Sequence, residues 1–220
     1  MMEDTLAPSP ASDEYDQHYR TWVEQHGPRA QDLDWRLTHL EWRQRVLLRR
    51  YPPEGKRVLD FGCMDGVFTL RLQQLGAQAV GYDISPAAIG QAKAFRGTAA
   101  RPVFTTVPPG PGQFDLIYCS EALENVAADS ALVGELVGYL ARGGSVVGTT
   151  PFGDEGKDPA KPGIYDPAQL KRALSPYGRV HVFHYARRPV RDRLPFRKTT
   201  GGRIFLFQVT PPNPPPPAER

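Results

Sequence analysis

The fold of this chain is decided by the stretch Val58-Leu59-Asp60-Phe61-Gly62-Cys63-Met64-Asp65-Gly66. Its apolar first half is typical of a buried strand, and residues 66–75 have the pattern of a helix. Glycines between a strand and a helix allow a sharp turn and a close approach of the backbone to a ligand. In open α/β sheets, ligands bind at such turns, beyond the carboxyl ends of the strands. Any tight turn of this kind favours glycine, however, so the surrounding sequence has to distinguish a binding site from an ordinary turn.

The segments on both sides of this stretch alternate between strand and helix patterns. We predict strands at 57–61, 79–83, 102–107, 114–119 and 145–150. We predict helices between them at 66–75, 86–95 and 129–141. Repeated βαβ units produce parallel strands joined by right-handed crossovers.

The last third of the chain breaks this alternation. A predicted helix at 167–175 precedes two strands, 179–185 and 203–209, which have no crossover helix between them and therefore predict a hairpin. The predicted fold is an α/β, Rossmann-like open sheet of about seven strands. It is mostly parallel, with one antiparallel strand in the edge region and helices on both faces.

An acidic residue ends the strand that follows the glycine turn, in Val80-Gly81-Tyr82-Asp83. A carboxylate at this tip can accept hydrogen bonds from both hydroxyls of a ribose, so together with the glycine turn it indicates a nucleoside cofactor. A role for Asp83 as a helix cap is disfavoured, because Ser85 is better placed for it. A dinucleotide is disfavoured as well, because Met64 stands where the dinucleotide pattern needs its middle glycine.

At these residues the sequence resembles the class I S-adenosylmethionine-dependent methyltransferases that carry V-L-D-x-G-C-G-x-G. Phe114-Asp115-Leu116-Ile117 is similar to the fourth strand of that family, and residues 140–147 are similar to the glycine pair before its fifth strand. The resemblance covers residues 56–150 and implies S-adenosyl-L-methionine as cofactor and S-adenosyl-L-homocysteine as product. It implies a cofactor site formed by Asp60, Gly62, Cys63, Met64, Gly66, Asp83, Ile84, Thr105, Thr106, Cys119, Ser120 and Tyr19.

The resemblance also implies roles for some of these residues. The glycine turn would lie against the methionine part of the cofactor, Asp83 would hold the ribose hydroxyls, and Ile84 would pack on adenine. Tyr19 lies with Tyr15 and His18 on a helical segment before the fold, and in this family such a segment often closes over the cofactor. Ordinary packing of these side chains onto the sheet is the alternative.

Three positions depart from the family pattern. Met64 replaces a glycine. Because side chains are poorly accommodated in the left-handed region, we expect the backbone of Met64 to lie outside it. The acid that often follows the third strand is missing, and Thr105 or Thr106 would replace it beside adenine. Asn125 replaces the histidine of L-E-H-V, which excludes a histidine base there.

The acceptor side of the site is predicted from the chemistry of methyl transfer. The acceptor lone pair has to lie in line with the methyl group, and an acceptor hydroxyl also needs a base. Glu121 and Glu124 follow the fourth strand, and we predict that they orient the acceptor; a solvated first helical turn is the alternative. His181 and His184 point to opposite faces of their strand, so they predict no shared metal site.

The segment 187–203 carries seven basic residues and one acid in the predicted hairpin, which borders the substrate entrance in this fold. It would suit an anionic small molecule or a nucleic acid, and a plain solvated loop is the other interpretation. Motifs for methylation of bases are absent after the fourth strand. We therefore predict a small-molecule acceptor, such as a sugar or natural-product intermediate, methylated on oxygen rather than nitrogen; an anionic acceptor is one option. A nucleic-acid methyltransferase and a catalytically inactive binding protein are the alternatives.

Length and composition support one domain. A chain of 220 residues suffices for one well-buried core, and we predict a methyltransferase domain at 13–210 between a disordered tail, 1–12, and a proline-rich tail, 211–220. The domain divides into a helical cap at 13–52, with predicted helices at 13–26 and 34–50, a cofactor-binding core at 56–150 and a substrate-side region at 151–210. No apolar run is long enough for a membrane span and no secretory signal precedes the fold, which predicts a cytoplasmic protein. Cys63 and Cys119 have no zinc-type spacing, so no metal is predicted.

Overall fold

The computed structural model describes residues 10–123, 132–151, 167–186 and 203–212. Before the sheet come three α-helices and a short 3₁₀ helix: α1 (Pro10–His26), the 3₁₀ helix Gly27–Gln31, α2 (Leu33–Thr38) and α3 (Trp42–Arg50). The central elements are β1 (Arg57–Phe61), α4 (Val67–Gln74), β2 (Gln78–Tyr82), α5 (Pro86–Arg96), β3 (Val103–Thr105) and β4 (Phe114–Ser120). The last are α6 (Leu132–Gly138), β5 (Leu140–Pro151), α7 (Pro167–Leu174), β6 (Arg179–Ala186) and β7 (Arg203–Thr210).

The strands of the described part form one seven-stranded sheet in the order β3-β2-β1-β4-β5-β7-β6. The pairs from β3 to β5 are parallel, whereas β7 runs antiparallel to both β5 and β6. The predicted sheet, with one antiparallel strand in the edge region, is therefore confirmed. The antiparallel strand is the second from the edge, because β6 lies outside it. The carboxyl ends of β1, β2 and β4 meet at one edge of the sheet, which we call the carboxyl edge.

Side chains alternate along the strands and fill a core on each face of the sheet. Leu59, Ile117 and Phe207 face α6 and α7, where Leu170 and Leu174 are fully buried. Val58, Tyr118 and Leu206 face the other way, toward α3 and α4. Both faces of the central strands are covered, which explains why the sequence of β1 is almost continuously apolar.

The helices before the sheet differ from the prediction in two ways. The helix α1 begins at Pro10, so residues 10–12 of the predicted disordered tail are helical. The single helix predicted at 34–50 is two helices, α2 and α3, separated at residues 39–41. The break lies at Leu40, whose side chain is buried with Leu47 in the core beside α4. A continuous helix would change the direction of these side chains, so tertiary packing overrides local propensity here.

The start of β5 also differs from the prediction. The helix α6 ends at Gly138, and β5 begins at Leu140, five residues before the predicted start. Leu140 pairs with Phe114, and the next pair joins Ser145 to Leu116, so the glycine pair forms an irregularity within the ladder. No α-helix among the described residues has both the length and the apolar surface for a membrane span.

Candidate cofactor and acceptor site

The glycine turn connects β1 to α4 at the carboxyl edge. Gly62 and Gly66 have φ angles of 74° and 75°, in the left-handed region that favours glycine. A Cβ atom on Gly66 would lie 2.4 Å from the ring of Phe104, so this position is closed to larger residues. The N–H groups of Gly62 and Cys63 donate to the carbonyl of Tyr82 at 2.9 and 3.0 Å, which joins the turn to the end of β2.

The expectation that Met64 avoids the left-handed region is wrong. Its φ angle is 49°, and its N–H group donates to Oδ2 of Asp83 at 2.8 Å. A left-handed conformation costs a non-glycine residue on the order of 1–2 kcal/mol, and a hydrogen bond to a charged carboxylate offsets a cost of this size. The acid at the tip of β2 thus holds the turn in the conformation that the usual glycine would adopt freely.

Asp83 lies where the ribose-binding acid was predicted. It is 8% exposed; Oδ2 accepts from Met64, and Oδ1 accepts from the N–H group of Ser85 at 3.0 Å. Burial raises the pKa of Asp83 above its usual range, and these two backbone donors oppose the shift. A carboxylate can accept about four hydrogen bonds, so two acceptor positions remain for hydroxyl groups. The predicted cap at Ser85 is confirmed, because its side chain accepts from the N–H group of Ala88 at 3.0 Å.

Asp60 lies deeper, below the turn. It is 3% exposed, and its carboxylate accepts a hydrogen bond from the Thr69 hydroxyl at 2.6 Å. The pKa of Asp60 is raised to about 7; burial is the main cause, the negative charge of Asp83 adds to it, and the Thr69 hydrogen bond opposes it. A cation beside this pair of acids would favour their ionised forms. The cofactor of the related enzymes carries positive charge on its ammonium and sulfonium groups.

The two cysteines are buried packing residues at strand ends. Cys63 contacts Phe104, Ile89 and Ala92, and burial raises the pKa of its thiol. Cys119 is fully buried in the core on the side of α6 and α7. No disulfide joins the two cysteines, and the described residues contain no cluster that could hold a metal.

The residues predicted beside adenine lie at or just after the ends of β2 and β3, where Tyr82 and Thr105 pair in register. The Thr105 hydroxyl closes its own turn, since it accepts from the N–H group of Val107 at 2.9 Å and donates to that residue's carbonyl. Thr106 is exposed and Ile84 is half-buried. Their contacts with adenine remain predictions.

The acceptor side contains Glu121 at the end of β4. Its φ angle is 56°, and among the described non-glycine residues only Met64 and Glu121 have positive φ. The Glu121 carboxylate lies 2.5 Å from Nη1 of Arg43, and Arg43 also pairs with Glu41 at 2.7 Å. Positive φ angles at residues other than glycine cost free energy, and such residues, here Met64 after β1 and Glu121 after β4, are typical of functional sites. Glu121 is therefore tied to α3 and is not a freely solvated side chain.

Other residues considered for the acceptor side lie on β4 and β6 or outside the described residues. Ser120 pairs in register with Thr149, and their hydroxyls are 3.0 Å apart. Glu124, Asn125 and the basic segment 187–202 lie outside the described residues. His181 lies near Phe183 and His184 near Phe205 on the neighbouring strand, which agrees with the prediction of opposite faces.

Sequence reasoning missed the contacts between the N-terminal helices and the carboxyl edge. Arg36 of α2 forms a two-pronged ion pair with Asp65 of the turn, and Asp65 is almost fully buried.

The helix α1 contacts the same edge. Tyr19, predicted in the cofactor site, is 8% exposed. Burial, the charge of Asp65 and a hydrogen bond to it raise the pKa of Tyr19, and Arg36 opposes the shift. Asp16 of α1 accepts from the Ser85 hydroxyl and from the N–H group of Ala87. The partners are distant in sequence, so no local pattern indicates them.

Comparison with known proteins finds similarity to methyltransferases. The family described as methyltransferase domain matches residues 33–194. An uncharacterized methyltransferase of Synechocystis is 35% identical over 116 residues, which are 49% of this chain and 54% of that protein. A ubiquinone biosynthesis O-methyltransferase of Methylococcus capsulatus is 30% identical over 106 residues, 44% of each protein. The chain thus spans about half the length of these curated relatives.

A solved structure supports the same fold. The magnesium protoporphyrin IX methyltransferase of Synechocystis, with bound S-adenosylmethionine, matches with a TM-score of 0.62. The match covers 94% of this chain and all of that chain, at 16% sequence identity. The predicted resemblance to class I methyltransferases, their fold and S-adenosylmethionine as the cofactor are confirmed.

Proposed function

Because the chain belongs to the family of methyltransferase domains, we propose that it transfers the methyl group of S-adenosyl-L-methionine to an oxygen of a small molecule. The acceptor class is a hydroxylated intermediate, such as a sugar or a natural-product precursor. One observation carries the proposal: Asp83, buried at the tip of β2, fixes the turn after β1 through the N–H group of Met64. A carboxylate that can accept hydrogen bonds from ribose hydroxyls, next to a glycine turn at the neighbouring strand end, supports a site for a nucleoside cofactor.

The preference for oxygen rests on the relatives and on Glu121. A relative that shares 30% identity is a ubiquinone biosynthesis O-methyltransferase. Glu121 provides a carboxylate at the end of β4, and its side chain is 25% exposed. In the proposed reaction the acceptor oxygen forms a bond to the methyl carbon while the carbon–sulfur bond of the sulfonium breaks. The hydroxyl proton passes to the Glu121 carboxylate, and S-adenosylhomocysteine leaves.

Arg43 determines how Glu121 can act. Its guanidinium lies between the carboxylates of Glu41 and Glu121, so it limits the rotamers of Glu121. An ionised carboxylate is the form that accepts a proton from the acceptor hydroxyl.

Two further parts of the proposal are a cytoplasmic location and a role for Glu124 as a second residue that orients the acceptor.

The direct test measures formation of S-adenosylhomocysteine with panels of phenols, sugars, amines and RNA. We expect turnover with hydroxylated small molecules and transfer of the labelled methyl group to their oxygen. Exclusive methylation of amines or of RNA would contradict the proposal.

A second experiment tests Glu121. The Glu121→Gln variant keeps the size of the side chain and should lower kcat about 100-fold, because general bases contribute factors of this order. Its Kd for S-adenosylmethionine should equal that of the unmodified protein. The matched control is Glu41→Gln, which alters the other carboxylate bound to Arg43 and should retain most of kcat. An unchanged kcat in Glu121→Gln would remove Glu121 from the mechanism.

A further inference from the structure

The N-terminal helices contact the cofactor turn through one buried ion pair. Asp65 lies in the turn between Met64 and Gly66, the two residues with φ angles of 49° and 75°. Its side chain is 2% exposed and that of Arg36 is 15% exposed. Nη2 of Arg36 donates to Oδ1 of Asp65 at 3.1 Å, and Nη1 donates to Oδ2. The only strongly polar residue in the middle of the turn is thereby bound to α2.

Arg36 is itself held from three sides. Its Nη1 atom donates to the carbonyl of Ala30 at 3.1 Å, and its guanidinium carbon lies 4.7 Å from the centre of the Trp22 ring. Ala30 is 1% exposed. A planar guanidinium bound to a carboxylate by two bonds, to a carbonyl and to an aromatic face has little freedom to move. The position of Asp65 therefore depends on the packing of α1, the 3₁₀ helix and α2.

The turn is thus fixed at two points. On one side Asp83 binds the N–H group of Met64, and on the other side Arg36 binds Asp65. Left-handed backbone at a residue other than glycine persists only where its surroundings enforce it. Loss of the second point leaves one hydrogen bond to maintain the conformation that receives the cofactor.

We propose that Arg36 and Asp65 are positioning residues that set the affinity for S-adenosylmethionine by coupling the packing of the N-terminal helices to the cofactor turn. The coupling is reciprocal: docked helices favour the binding-competent turn, and bound cofactor favours docked helices. This inference concerns cofactor binding alone and does not depend on the identity of the acceptor.

The chain offers a spectroscopic probe of this coupling. Its three tryptophans are Trp22, Trp35 and Trp42, and all three lie in α1, α2 or α3. Intrinsic tryptophan emission therefore reports only on the N-terminal helices. We expect titration with S-adenosylmethionine to change this emission, with the same Kd that calorimetry gives.

The decisive variant is the double replacement Arg36→Met/Asp65→Asn, which removes both charges and leaves no buried ion unpaired. We expect it to fold, and to bind S-adenosylmethionine about tenfold more weakly, within the usual range of coupling between sites. Arg36→Lys keeps the charge but loses the planar, two-pronged contact, so we expect a smaller weakening. The matched control, Arg57→Met, breaks an ion pair at the other end of β1 and should leave Kd unchanged.

Two results would overturn the proposal. One is a folded double variant that binds S-adenosylmethionine with the Kd of the unmodified protein, whatever its melting temperature, because the ion pair would then serve stability alone. The other is cofactor binding without any change in tryptophan emission in the unmodified protein. A protein that binds the cofactor but methylates nothing would instead contradict the proposed function and leave this inference intact.

Discussion

The two ends of β1 each carry an arginine–aspartate ion pair, and the pairs differ in burial. At the carboxyl edge, Arg36 and Asp65 have side chains that are 15% and 2% exposed. At the opposite, amino edge, Arg57 and Asp115 are 50% and 39% exposed, with Nη2 2.7 Å from Oδ1. The exposed pair is screened by water, and the buried pair is part of a network around strained backbone. This difference agrees with the proposal that the carboxyl edge binds the cofactor, whereas the pair at the amino edge joins β1 to β4 at the surface.

The largest difference between the edges should appear at their glycines. At the carboxyl edge, Gly66→Ala would place a Cβ atom 2.4 Å from the ring of Phe104 and 2.9 Å from Ala92 in a left-handed backbone. We expect a loss of about 3 kcal/mol in the free energy of unfolding, from overpacking and backbone strain together. Gly143→Ala at the amino edge has a φ angle of 80° and open space around its Cβ position, so it should lose about 1 kcal/mol. Denaturant unfolding of both variants measures the difference, and equal losses would show that Phe104 does not close the turn.

A smaller effect should follow replacement of Met64. A β-branched side chain is poorly accommodated at its φ angle of 49°, so Met64→Val should lower the free energy of unfolding by about 2 kcal/mol. Met64→Gly adopts this conformation freely and should stay within about 1 kcal/mol of the unmodified protein. Thermal or denaturant unfolding checks the pair. If valine were tolerated as well as glycine, the turn would not require left-handed backbone.

The glycine turn and Asp83 were predictable because their signals are local. A strand, a glycine turn and an acid at the next strand tip are read directly from sequence, as is the Ser85 cap before Pro86. The conformation of Met64 was predicted wrongly because its energy depends on Asp83, which lies 19 residues away. Arg36 and Arg43 were missed for the same reason, since their ion pairs with Asp65 and Glu121 exist only after the N-terminal helices pack on the sheet.

The pH dependence of stability should also separate the edges. In the folded state the pKa of Asp60 is raised, mainly by burial, from its ordinary value of 3.8 to about 7. Between these two values the folded state retains a proton that the unfolded state has lost, so this residue makes stability fall as pH rises from about 4 to 7. The slope from one proton is at most about 1.4 kcal/mol per pH unit. Asp60→Asn should remove this contribution, which unfolding at several pH values measures; an unchanged profile would contradict it.

The smallest effect should be at the amino edge. The Arg57 guanidinium lowers the pKa of Asp115. This pair therefore stabilises the folded state at pH values above the ordinary pKa of an aspartate. The contribution is lost as the pH falls through the lowered pKa. Because both side chains are well exposed, Arg57→Met should cost less than about 1 kcal/mol at neutral pH. Urea unfolding at low and high salt measures this cost. A loss as large as that of Gly66→Ala would mean that the two edges do not differ in the proposed way.

Calorimetric titration with S-adenosylmethionine tests the central claim most directly, namely that the carboxyl edge of β1 and β2 holds the cofactor. The comparison uses the unmodified chain, Asp83→Ala and Asp115→Ala, which remove one carboxylate from each edge. We predict that Asp83→Ala weakens binding by a factor of about 100 or more, since it removes the ribose acceptor and the partner of the Met64 N–H group. Asp115→Ala should bind as the unmodified chain does. Equal affinities in all three proteins would contradict the account.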